Sequence, residues 1–341
     1  MPCRESEERL QAQAIRGVNE TGMIVTFAIT YECSKGCSYC FQRSERAFRL
    51  PPMQLDDFTR ALQWLRRCGH REIKITGGEP TQHPQFAGFW EVARELGFHI
   101  VLMTNGSFDF GLLPDIGVLA GAFVHLRPNP HEDMALASVD LLQSAGVPIV
   151  LSYTITRPGT LPDMVRLAAS LRKAALRIDL ARWDLVRSND YVPFGDYPLY
   201  RAEILDGIAL AASLGVSVNL DCPLPLCMFK EQERDALRAN GLRGVCSPFP
   251  LVNPDLSVGC CPYPGLLQSS LLDLRSDSLD SRLQNHPALE QLRWTQPMHD
   301  NCATCGFWLE KQCQGGCIRG KSVLPMDARY ALPFTTAPGG K

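Results

Sequence analysis

Apolar and polar positions alternate in two rhythms along the first two thirds of the chain. Residues 23–29 (MIVTFAI), 71–76 (REIKIT), 99–104 (HIVLMT), 122–126 (AFVHL), 147–154 (VPIVLSYT), 176–180 (LRIDL) and 216–220 (VSVNL) are short runs rich in β-branched and apolar residues, the mark of strands. Between them the rhythm lengthens to that of helices. DDFTRALQWLRRC sets Phe58, Leu62, Leu65 and Cys68 at helical spacing behind Asp56 as N-cap. Further helices are predicted at about 84–96, 134–145, 161–174 and 200–214. Six strand–helix units in series predict an α/β fold with a parallel sheet and right-handed crossovers, curled into a full or partial barrel. In such a fold reactive loops sit at the C-terminal ends of the strands.

Past residue 220 the rhythm breaks. Proline and cysteine become dense, and nine of the fourteen cysteines fall here, predicting a core over 21–220 and a small Cys-rich domain over 221–330. Residues 1–20 read as an N-terminal extension and 331–341 as a frayed tail. With 45% hydrophobic and 21% charged residues among 341, the chain is globular and long enough for two domains. A net charge of −2 calls for neither nucleic acid nor an anionic membrane as partner. No apolar run approaches the ~20 residues of a membrane helix. The charged start lacks a secretory signal, so the expected location is cytoplasmic. Fourteen clustered cysteines in such a chain point to metal rather than disulfides.

Cys33, Cys37 and Cys40 form Cys-x3-Cys-x2-Cys directly after the first strand. Three thiolates on one loop can hold three irons of a [4Fe–4S] cube and leave the fourth open to a chelate. A closed zinc site wants four ligands, and no fourth lies near in sequence. A helix presenting the three cysteines to a core is the other alternative, which Gly36 and the strand-end position disfavour. Gly77-Gly78-Glu79-Pro80 ends the second strand, where a glycine-lined carboxylate lets an ammonium approach. Thr104-Asn105-Gly106 ends the third strand and, taken alone, is an ordinary turn. Thr154 could meet a ribose or simply pair across strands, and Arg182 could meet a carboxylate or simply be exposed.

These motifs resemble those of the radical S-adenosylmethionine (SAM) enzymes, whose hallmark is a Cys-x3-Cys-x-aromatic-Cys loop. The resemblance covers about 23–220 and implies a partial (β/α)6 barrel of the radical SAM type. It implies a SAM-binding [4Fe–4S] cluster on Cys33, Cys37 and Cys40, with Tyr39 near the adenine. Gly77, Gly78 and Glu79 would receive the SAM amino group, Asn105 would lie near SAM, Thr154 at the ribose and Arg182 at the carboxylate. Relatives often carry Ser-x-Asp-Gly after the fourth strand; here the run is His125-Leu126-Arg127-Pro128-Asn129.

The C-terminal cysteines resemble the SPASM/twitch extensions of that family, although a four-cysteine zinc knuckle is the alternative by spacing alone. Cys246-x14-Cys261 fits the first pair of the pattern, and Cys302-x2-Cys305-x7-Cys313-x3-Cys317 the second. Leu256 stands where the family has Gly, the gap between Cys305 and Cys313 is longer, and no cysteine follows Cys317. The resemblance implies one or two auxiliary [4Fe–4S] clusters. One would use Cys246, Cys261, Cys317 and either Cys222 or Cys227. The other would use Cys302, Cys305 and Cys313, with Asp327, another residue or nothing as its fourth ligand. Cys68 is expected in a helix core and Cys3 at a frayed end.

The implied chemistry is reductive cleavage of SAM to a 5′-deoxyadenosyl radical that takes a hydrogen atom from a substrate. The substrate expected from the extension is a ribosomally made peptide or protein that is cross-linked or oxidised. Small-molecule dehydrogenation or rearrangement is the alternative, and a non-catalytic iron–sulfur or zinc protein the remote one. About twenty residues precede the barrel, so a peptide would be recognised through a separate leader-binding protein. A flavodoxin or ferredoxin is the expected reductant.

Overall fold

The computed structural model describes residues 18–19, 22–40, 50–108, 116–127, 134–171, 175–182, 190–247, 249–260, 270–273, 287–295 and 297–318. Seven strands follow one another in parallel register: β1 (Val25–Thr30), β2 (Glu72–Gly77), β3 (His99–Thr104), β4 (Leu119–Leu126), β5 (Ile149–Ile155), β6 (Ala175–Leu180) and β7 (Val218–Leu220). Helices α1 (Leu55–Arg67), α2 (Phe86–Glu95), α3 (Ala135–Ser144), α4 (Leu161–Ser170) and α5 (Tyr197–Ser213) lie between them, as the lengthened rhythm predicts.

Period-two alternation divides each strand between two environments. Phe27, Ile73, Ile75, Ile100, Leu102, Val124, Leu151, Ile178 and Leu220 join the large core shared with the helices. The alternate positions Val101, Phe123, Val150 and Ala175 form a separate, small cluster on the opposite face. That face also carries polar side chains: Lys74, Thr76, Ser152, Arg177 and Asp179 fall in its rows. A solvated outer face would be a dull reason for charge on alternate residues, but Lys74 is only 8% exposed.

On α1, Phe58, Ala61, Leu62 and Leu65 are buried at the predicted spacing. The helix starts one residue before the expected cap, with Gln54 as N-cap, and Asp56 and Asp57 lie in its first turn, opposite in charge to its N-terminal dipole. Cys68 follows as the C-cap residue, half-buried rather than in the core. The first amides of α4 find their acceptor on another helix: Glu203 Oε1 accepts from Thr160 N at 2.9 Å and Leu161 N at 2.7 Å.

Beyond residue 220 the chain does more than add a separate Cys-rich unit. β8 (Pro250–Val252) pairs parallel with β1, and β9 (Val258–Cys260) pairs antiparallel with β8, extending the barrel sheet to nine strands. Three-residue strands in a Pro-rich stretch carry too little periodicity to be read from sequence. The turn joining them places Leu256 at φ 64°, the left-handed region that glycine fills at low cost. The leucine keeps that backbone shape and buries its side chain in the main core, which accounts for its standing where glycine is expected. Helices α6 (Glu231–Arg238), α7 (Pro287–Trp294) and α8 (Gly306–Leu309) also lie in this part of the chain. Among the described residues no helix is long and apolar enough to cross a membrane.

Candidate functional site

Three turns meet at the C-terminal ends of β1, β2 and β3, and their backbones interlock. Gly78 N donates to Thr30 O and Glu79 N to Glu32 O, both at 2.8 Å. A Cβ on Gly78 would stand 2.2 Å from Glu32 O, and one on Gly77 would stand 2.0 Å from Thr30 O. Two glycines are therefore needed where the second turn crosses the start of the cysteine loop. Across that crossing Gln82 Oε1 accepts from Ser34 N at 2.9 Å.

Glu79, fully buried, ties the second turn to the third. Its Oε1 accepts from Thr81 N (3.2 Å), Thr81 Oγ1 (2.6 Å) and Thr104 Oγ1 (2.8 Å), and its Oε2 from Asn105 N (2.7 Å). Four donors nearly exhaust a carboxylate, leaving one lone-pair direction on Oε2 for a further donor such as an ammonium. The third turn in turn reaches the loop: Asn105 O accepts from Lys35 Nζ at 3.0 Å, and Asn105 Nδ2 lies 3.7 Å from Cys33 Sγ.

The thiols of Cys33, Cys37 and Cys40 are half-buried on this loop. Among the described residues they do not come together within 4.8 Å, the spacing found for Asp179, Asp221 and Cys222. Thiolates around one tetrahedral zinc lie about 3.8 Å apart, given Zn–S bonds of about 2.3 Å. Three thiols on one loop can each serve a different iron of a cube. Burial pushes the Cys33 thiol up, and the charges of Glu79 and Cys37 add to it.

Tyr39 is buried in the main core, and its hydroxyl lies 2.8 Å from His125 Nε2. Burial and then the charge of Cys37 hold its phenol well above the ordinary range, so it stays protonated. His125 sits opposite Ser152 on β5, which sits opposite Arg177 on β6. Thr154, half-buried, sits opposite Asp179 in the next row.

These rows end in a charge network that sequence motifs did not reveal. Arg177 donates to Ser152 Oγ at 3.0 Å, lies 3.5 Å from Asp221 Oδ1 and stacks over Phe123 at 4.5 Å. Lys74 Nζ shares that ring at 5.2 Å. Arg182 is ion-paired with Asp179 and lies 3.7 Å from Asp221. Burial alone would raise the Asp221 carboxyl, but Arg177, Arg182, Arg243 and Lys74 outweigh it and hold the group below the usual carboxylate range. Burial, reinforced by Arg177, brings Lys74 down to about 8. The available signal was Lys, Arg and Asp at alternate positions of REIKIT and LRIDL. Arg182 is thus paired with the acidic residues of this network rather than simply exposed.

Of the C-terminal cysteines, Cys222 stands with Asp179 and Asp221 at the barrel end. Cys227 follows Leu226, whose amide lies 3.4 Å from Cys313 Sγ. Cys246 is held by Gln314 Oε1, which accepts from its amide at 3.1 Å, and by Arg293 Nη2, 3.7 Å from its sulfur. The phenol of the half-buried Tyr197 is pushed up to about 12 by desolvation and then by the charges of Cys317 and Cys227. Cys261, Cys3 and Asp327 lie outside the described residues.

The family model of the radical SAM superfamily matches residues 27–169. The PqqA peptide cyclase of Gluconobacter oxydans is 24% identical over 322 residues, spanning 86% of this chain and 87% of that protein. The mycofactocin maturase MftC of Mycobacterium tuberculosis is 26% identical over 358 residues, spanning 94% and 84%. Among solved structures, Streptococcus suis SuiB bound to S-adenosylmethionine superposes with a TM-score of 0.60 at 12% identity, over 92% of this chain and 77% of that one. SuiB bound to its precursor peptide SuiA gives the same score, over 92% and 76%. At that identity the likeness is one of fold.

Proposed function

We propose, from the radical SAM domain matched over residues 27–169, that the chain cross-links or oxidises a ribosomally made peptide. The observation that carries the chemistry is the convergence of the cysteine loop, the Gly77-Gly78-Glu79 turn and the Asn105 turn on one end of the parallel sheet. The peptide substrate is supported by similarity, over most of both chains, to a protein that acts on a peptide.

Cys33, Cys37 and Cys40 would hold three corners of the cluster, and the amino group of SAM would take the remaining acceptor direction on Glu79 Oε2. When bound, cluster and SAM supply an electron, from a flavodoxin or ferredoxin, and a 5′-deoxyadenosyl radical that removes a substrate hydrogen atom. The protein's part is placement and exclusion. Glu79 fixes the two turns to each other, so the amino-acid end of SAM meets a preformed acceptor. Tyr39 and His125 close the floor beside the cysteine loop with a mutual hydrogen bond, keeping water from the reacting atoms. Thr154 stands on the same face for the ribose. Arg182, already balanced by Asp179 and Asp221, would contact the SAM carboxylate only by sharing its charge with them. Cys246, Cys261, Cys302, Cys305, Cys313 and Cys317, with Cys222 or Cys227, supply ligands for one or two auxiliary clusters of the SPASM/twitch type. The protein acts in the cytoplasm.

Anaerobically reconstituted protein with dithionite and SAM should release 5′-deoxyadenosine, and Cys37→Ala should abolish the release. With a candidate precursor peptide, the product should be lighter by two hydrogen atoms per modification. Release of 5′-deoxyadenosine that no peptide accelerates, but a small anionic alcohol does, would move the substrate to the small-molecule class.

A further inference from the structure

Cys302, Cys305 and Cys313 supply three sulfurs, one short of a closed set of four. We infer that Cys227, 75 residues upstream of Cys302, supplies the missing sulfur, making a closed four-cysteine site with Cys302, Cys305 and Cys313. That the site holds an iron–sulfur cube rests on the radical SAM reading; the four-sulfur set itself does not.

The chain brings these residues together through backbone as well as side chains. Leu226–Met228 is a single 3-10 turn after Pro225. The amide of Leu226 points at Cys313 Sγ from 3.4 Å, and that of Gly315 points at the same sulfur from 3.4 Å. Two N–H donors on one sulfur are what a thiolate ligand of a cluster takes from its surroundings, where they tune its potential. Gly315 has φ +85°, and a Cβ there would lie 3.5 Å from Cys302 Sγ and 2.6 Å from Met298 Cβ. The chain must therefore be bare at this point to wrap Cys302. Gly244 plays a like part, since its Cβ would meet Gln312 O at 2.3 Å, Leu226 Cγ at 2.9 Å and Cys313 Cα at 3.0 Å. Three separate segments thus converge around Cys313.

Within the turn, Met228 and Phe229 are buried at 8% and 2% exposure, whereas Cys227 is exposed. Successive residues of a 3-10 turn point about 120° apart, so burying Met228 directs Cys227 out of the core. A cysteine serving as a small hydrophobe would be buried. The sequence neighbour of Cys227, Cys222, is drawn instead to Asp179 and Asp221. Among the described residues no three of the four sulfurs lie within 4.8 Å of one another.

The test starts from a chain in which Cys33, Cys37 and Cys40 are all alanine, which removes the loop site and makes the result independent of SAM cleavage. Iron, sulfide and zinc are measured per chain, with Mössbauer and EPR spectra and circular dichroism. In that background Cys227→Ala should remove about four iron, or leave a three-iron EPR signal, with the dichroism unchanged. Adding Cys227→Ala to Cys302→Ala/Cys305→Ala should remove no more iron, because the same site is already gone. Cys227→Ser, nearly the same size, guards against a folding defect and should perturb the spectrum in the same way. Unchanged iron and spectra in both Cys227 variants would overturn the inference. So would a further loss of iron in the Cys302→Ala/Cys305→Ala background, which would assign Cys227 to the other set. Stoichiometric zinc without sulfide would overturn the cube. Failure of the wild-type chain to release 5′-deoxyadenosine, with these results intact, would count against the radical reading alone.

Discussion

A single methyl group at Gly78 should loosen the cofactor loop from the barrel. In Gly78→Ala the new carbon would stand 2.2 Å from Glu32 O, 2.6 Å from Glu32 C and 2.6 Å from Tyr31 O. Comfortable contact begins at roughly 3.5 Å, so the second turn must retreat by about 1 Å from backbone that cannot rotate away. The hydrogen bonds from Gly78 N to Thr30 O and from Glu79 N to Glu32 O, both 2.8 Å, cross that gap. Losing them removes about 1 kcal/mol each, and overpacking adds about 1–3 kcal/mol. The sum is about 3–5 kcal/mol. Gly195→Ala is the matched control, because a Cβ there meets nothing within 4 Å, and its cost should stay within about 0.5 kcal/mol. Denaturant unfolding of both variants, freed of metal so that no bound group enters the transition, measures the difference. Reconstituted Gly78→Ala should also hold less iron than wild type, since Cys33 begins one residue past Glu32. A Gly78→Ala chain within 1 kcal/mol of Gly195→Ala and fully loaded with iron would refute the steric reasoning.

Other consequences concern the same end of the barrel. Glu79→Gln turns one acceptor oxygen into a donor facing donors, so SAM affinity should fall at least tenfold, about 1.4 kcal/mol; equal affinity by equilibrium dialysis would remove Glu79 from the site. Lys74 titrates near 8 in the folded chain and near 10.4 when unfolded. Between these values the unfolded state holds more protons, so stability gains with rising pH, whereas the full burial penalty applies below 8. The advantage of Lys74→Met over wild type should therefore shrink by up to about 3 kcal/mol between pH 8 and 10.4; a gap independent of pH would place the ammonium in water. Tyr39→Phe removes the hydrogen bond to His125 and should cost about 1 kcal/mol in denaturant unfolding, with no cost meaning that the two rings do not meet.

Much of this was legible in the chain. The barrel strands follow from β-branched runs, and the meeting of the three turns from motifs that end consecutive strands. The three-turn interlock was not, because Glu79 reaches Thr104 across 25 residues through a side chain that a motif reads only as an acid. The charge network escaped for a related reason: Lys74, Arg177 and Asp179 look like the solvated face of ordinary strands until the sheet curls and turns that face inward. β8 and β9 were hidden by their shortness, and their pairing with β1 depends on a segment that starts more than two hundred residues later. The left-handed turn at Leu256 shows the opposite limit, where the backbone shape is kept although the residue that usually signals it is absent.

The central claim is that Cys33, Cys37 and Cys40 leave one iron open for the amino-acid end of SAM. Electron–nuclear double resonance on the dithionite-reduced protein, with SAM labelled by ¹⁷O in its carboxylate and ¹⁵N in its amino group, reads that contact directly. Both labels should couple to the cluster in wild type and neither in Cys37→Ala. A colourless protein holding zinc at the three thiols, or a reduced cluster to which neither label couples, would contradict it.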